Sequence, residues 1–245
     1  HIYFGTYMGC PRDEIAWAPI GLGLIADREF LKSKGYPHYH HERLMWYYHE
    51  AERRSYDTSL NQEVATLFMS EDDLWRKGWD MCLSHAKGMA VCTMLRELMG
   101  SELFDTEVRE FLAEKDNGKW LLVGSEFLDW CDDAYEGDLT WFIQDWIQSN
   151  RTIDYQIAEV AQDASGVWFV KIINDGEARY PVKVAVAFAD GSATSYTSDI
   201  NKREEIFVLP PAGQPATVVI DPDGITPDIK TDNNRWPAEE EGAKQ

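Results

Sequence analysis

No apolar run in this 245-residue chain approaches the roughly 20 residues that a membrane-crossing helix needs, so a helical membrane span is excluded. Basic residues are scarce: 23 lysines and arginines stand against 43 aspartates and glutamates, for a formal net charge of −20. Such a surface repels phosphate backbones and weighs against nucleic acid as a partner. It fits solubility, or the selection of a basic partner. Cysteines are few. Cys10, Cys82, Cys92 and Cys131 show no CxxC spacing, which argues against a structural zinc site, and their apolar neighbours point to buried free thiols rather than a disulfide framework. No signal peptide is visible and the first residue is His1, not Met, although a removed signal would leave no trace.

What the chain does have is aromatic residues, with 10 Trp, 11 Tyr and 10 Phe, and a hydrophobic share of 44%. That composition argues against disorder and supplies an ample core. Two periodicities divide it. Residues 1–154 read as helical. Ile15 to Lys34 carries apolar residues at helical spacing and meets a stop at Lys34-Gly35-Tyr36-Pro37. Met81 to Met99 is apolar on nearly every face, the mark of a central buried helix, with a stop at Gly100. Further helices are predicted at His41 to Tyr56, Ser101 to Glu114, Ser125 to Tyr135 and Leu139 to Ser149, with an acidic first turn at Glu71-Asp-Asp and Ser125 as a capping residue.

From Asp154 the period shortens. Six strands are predicted at 155–160, 167–173, 182–188, 193–197, 205–209 and 216–220, separated by Ala164-Ser-Gly, Asn174-Asp-Gly, Ala189-Asp-Gly, Pro210-Pro-Ala-Gly and Asp221-Pro-Asp-Gly. The expectation is an α+β chain: a helical lobe at 1–154, a small antiparallel β-sandwich at 155–232, and a flexible acidic tail at 233–245.

Three local patterns stand out. His1-Ile-Tyr-Phe-Gly5 resembles His-Gln-Trp-Phe-Gly, whose histidine is the second of an HExxH pair. His85-Ala-Lys-Gly88 with Met94-Leu-Arg-Glu-Leu-Met-Gly100 resembles Tyr-x-Lys-Gly followed by Met-Leu-Arg and a glycine. Asp138-Leu-Thr-Trp-Phe-Ile-Gln-Asp-Trp146 resembles a closing helix Asp-Leu-x-Trp-Phe-x-x-x-Trp. In this order they resemble the M1 family of zinc aminopeptidases, the gluzincins. The resemblance implies the C-terminal part of a thermolysin-like catalytic domain followed by a small sandwich.

It also implies chemistry that these residues meet only in part. The family holds zinc with two histidines and a glutamate, activates a water through a second glutamate, and steadies the oxyanion with a tyrosine hydroxyl. The glutamate ligand falls 19 residues after the second histidine, and counting from His1 arrives at Ile20, within Pro19-Ile20-Gly21. An alkane side chain has no electron pair for a metal. The tyrosine position maps onto His85. His1 remains as a metal ligand only if an upstream HExx segment precedes it. No cofactor is expected, or zinc if that segment supplies the missing ligands.

The resemblance therefore implies a relative that has lost zinc peptidase chemistry and serves in binding or assembly, with Ile20, Gly21, His85 and Lys87 lining the former cleft. The expected partner is another protein chain or a missing N-terminal segment, with a peptide or small molecule as possible ligand. The alternative is the C-terminal part of a longer enzyme, with a repurposed acid/base cleft centred on His85 and served by Glu14 or Asp80, or an active zinc aminopeptidase in which Glu14 or Glu29 stands in as ligand. Two other histidine features are present. His38, His40, His41, Glu42 and His49 cluster around one predicted helix and read as surface groups. A copper site at an N-terminal His1 is at odds with the helical first half.

Overall fold

The computed structural model describes residues 16–35, 66–67, 81–115, 122–211 and 213–237. The chain is α+β, and it divides into two compact units, His1–Asn150 and Arg151–Gln245. The predicted helix at His41 to Tyr56, the Glu71 turn and the His38–His49 cluster lie outside the described residues.

Five helices build the described part of the first unit. α1 spans Trp17–Ser33 and buries Trp17, Ala18, Pro19, Ile20, Gly21, Leu22 and Ile25. Pro19 is tolerated because first-turn amides have no partner within the helix. The helix stops where its sequence signal lies: the Lys34 and Gly35 amides donate back to the Leu31 and Lys32 carbonyls, and Gly35 takes a φ of 85°. α2 begins as a π-helix, Met81–Lys87, and continues as an α-helix, Gly88–Met99. Every residue from Leu83 to Leu95 is buried, as its all-round apolar sequence predicts. Gly100, also at a φ of 85°, ends it, and α3 (Ser101–Lys115) starts at once.

α4 (Gly124–Ala134) packs on α3 through edge-to-face contacts among Phe104, Phe111, Phe127 and Trp130. The sequence places its cap at Ser125. The helix instead starts one residue earlier, after extended Val123, which makes no side-chain cap bond. α5 opens as Thr140–Phe142 and runs on as a π-helix, Ile143–Ile147. Asp138 Oδ1 accepts the Thr140 amide at 2.8 Å, and bonds from Thr140 hold that carboxyl below its usual range.

The second unit is a sandwich of two antiparallel sheets. One has the order β1 (Tyr155–Gln162), β2 (Trp168–Asn174), β5 (Glu204–Val208). The other runs β4 (Ala193–Thr197), β3 (Lys183–Phe188), β6 (Pro215–Ile220), β7 (Arg235–Trp236). Their buried positions alternate: Val170 and Ile172 on β2, Val184, Val186 and Phe188 on β3, Val218 and Ile220 on β6. The Tyr196 and Phe207 rings meet at 5.0 Å between the sheets. Aspartates organise the turns. Asp163 Oδ1 accepts the Ser165 and Val167 amides at 2.9 Å, and Asp190 Oδ1 accepts the Ser192 amide at 2.9 Å.

Two boundaries differ from the sequence reading, each for a visible reason. Residues before 155 belong to the sandwich because Ala178, Ile229 and Asp175 donate their amides to the carbonyls of Thr152, Ile153 and Asp154 at 2.8, 3.1 and 2.8 Å. The unit accordingly starts at Arg151. Residues 233–237, placed in the tail by their composition, are built into the sheet. Arg235 and Trp236 pair with Val219 and Val218, and Asn234 is buried.

Candidate functional site

The helices α1 and α2, which are in contact, carry the described residues that the resemblance implies for a site. Two glycines make the crossing possible. A Cβ on Gly21 would stand 2.5 Å from the Gly88 carbonyl oxygen and 2.8 Å from Cys92 Sγ, and a Cβ on Gly88 would stand 2.7 Å from the Trp17 carbonyl oxygen. Neither position has room for a side chain. Ile20 and Gly21 on α1 are therefore held against the helix that carries His85 and Lys87.

That helix contributes buried polar groups. His85 is 8% exposed, and its Nδ1 lies 3.2 Å from Ser84 Oγ, itself fully buried. Lys87 is 4% exposed and donates from Nζ to the Ser149 carbonyl at 2.8 Å, just beyond the end of α5. A cation suits a helix C-terminus, where unpaired carbonyls concentrate negative potential. Ser149 Oγ in turn donates to the Asp145 carbonyl at 2.6 Å, so two π-helical segments, Met81–Lys87 and Ile143–Ile147, are tied through one lysine. Single π-turns of this kind recur at functional sites.

The opposing face of α1 carries no such chemistry. Its buried residues are aromatic, aliphatic, proline and glycine, and none offers a carboxylate, imidazole or thiol. Ile20, at the position counted from His1, points an alkane into this packing and is 9% exposed. Glu29 lies about two and a half turns further along the helix, 3.2 Å from Arg28 Nη2, with about a third of its side chain in solvent. Glu14, Asp80 and His1 lie outside the described residues. Among the described residues no three His, Cys, Asp or Glu side chains gather closely enough to hold a metal ion.

The two thiols described here are buried and free, as the sequence suggests. Burial pushes the Cys92 thiol far above its usual value and that of Cys131 up to about 12, so neither is a nucleophile near neutral pH. A separate cavity of about 300 Å³ lies between α4 and α5, lined in part by Ser125, Asp129, Thr140 and Gln148. None of Ile20, Gly21, His85 and Lys87 lines it.

Sequence reasoning missed the most elaborate polar cluster, in the sandwich. Asp228 Oδ2 accepts the Tyr155 amide at 2.9 Å and Asn234 Nδ2 at 3.0 Å, and its Oδ1 accepts the Lys230 amide at 2.9 Å. Burial raises the pKa of this carboxyl to about 6. Lys230 Nζ reaches Asp154 Oδ2 at 2.7 Å, and Asn174 holds the Asp154 and Gly176 amides. Every one of these bonds joins strand ends and loops, so the cluster reads as a structural clasp. Its sole sequence signal was the density of Asp and Asn at 221–234, which also fits a tail.

The chain is α+β: a helical unit in which α1 and α2 meet at paired glycines, and a sandwich of two antiparallel sheets. No protein-family model matches the chain, and no curated protein matches it in sequence. Among solved structures, aminopeptidase A of Legionella pneumophila, crystallised in complex with aspartic acid, aligns at a TM-score of 0.47 with 16% identity, over 59% of this chain and 17% of that one.

Proposed function

We propose that this chain is related to the M1 metallopeptidases, has lost their zinc chemistry, and uses the α1–α2 region in binding or assembly with another chain or segment. The observation that carries the reading is Ile20. Zinc hydrolases of this type need three protein ligands and an open coordination position for water. At the glutamate position α1 presents a buried alkane, with no donor among its other buried side chains. The close approach of Gly21 to Gly88 holds Ile20 against α2, in keeping with a packing role.

The same geometry supports a non-catalytic role for His85 and Lys87. Lys87 has its amine bonded to the Ser149 carbonyl, an arrangement that secures α5 to α2. His85 sits beside Ser84 inside the helix packing, and its imidazole is shorter than the tyrosine the family uses and differently aimed. What survives is the packing of the scaffold.

The test is hydrolysis of aminoacyl-anilides by the purified protein, with and without added zinc and with a chelator. The reading expects no turnover above buffer in any arm. Cleavage that rises with zinc and disappears with the chelator would overturn it.

A further inference from the structure

No further inference is drawn: the strongest candidate, the outer face of edge strand β5 with Ile206 and Val208 more than half exposed, is an unpartnered apolar surface, and nothing in the structure shows what covers it.

Discussion

The two units differ in the contacts that set their geometry. In the sandwich, polar side chains work mostly close to home: Asp163, Asp190 and Asp221 each accept amides from residues two to five places on, closing the turns that begin with them. In the helical unit the decisive contacts are remote. Lys87 reaches Ser149, Arg28 reaches Thr93, and Gly21 admits Gly88. Local bonds tolerate change because each fixes one turn. Remote ones fix how whole helices lie, so the helical unit should be the more fragile of the two to single substitutions at its crossing.

That contrast can be broken, and the sharpest blow is at the glycines. Gly21→Val places branched carbons where the Gly88 carbonyl and Cys92 Sγ already lie, and backbone must move. Overpacking of this kind is expected to lower stability by about 3 kcal/mol or more, measured as a shift in the urea midpoint. A loss below about 1 kcal/mol would mean the helices separate readily, and the contrast would fail.

Next comes the clasp, a remote polar device of the sandwich that joins Asp228 to Tyr155. Asp228→Ala strands three donors at once and is expected to cost roughly 2–4 kcal/mol. Its pH signature is more specific. Because burial raises the Asp228 pKa from 3.8 to about 6, the folded state keeps a proton that the unfolded chain has released. The resulting stability is fully present below about pH 4 and is lost as pH rises through about 6. Asp228→Asn should therefore flatten the wild-type decline across that window, as followed by denaturant unfolding at several pH values. An unchanged slope would show that the carboxyl titrates normally.

Smaller effects follow. Lys87→Met keeps the aliphatic stem but leaves the Ser149 carbonyl without that donor, and is expected to cost about 1 kcal/mol. Arg96 makes a bidentate pair with Asp105, both bonds at 2.8 Å, across the Gly100 turn. The pair is partly exposed, so Arg96→Ala should cost no more than about 1 kcal/mol and less at high salt.

Legibility in the sequence follows the same division. Strands from β1 to β6 fall within about two residues of their predicted limits, because alternation and Asp-Gly turns are local signals. β7 was hidden: two residues cannot show a period, and its place depends on the Ile220 amide finding the Asn234 carbonyl. The 151–154 segment likewise lacks alternation and joins the sandwich through backbone carbonyls alone. α1 and α2 were legible from apolar spacing and from the glycines that end them. The missed start of α4 has a packing origin. Ser125 is a good cap by composition, but the helix begins at Gly124, where the Trp17 indole lies too close for any side chain. For the candidate site, the family resemblance implied Ile20, Gly21, His85 and Lys87, and the structure describes them on two helices in contact. The Lys87–Ser149 bond was not legible, since 62 residues separate its ends.

The proposed function turns on a lost zinc donor set, and metal content is its sharpest test. Zinc per chain should be measured by elemental analysis on protein purified without chelators and then dialysed against trace zinc. Under the proposed function, zinc is expected to stay far below one per chain, unchanged by dialysis. One zinc per chain, removed by a chelator and restored by dialysis, would contradict it.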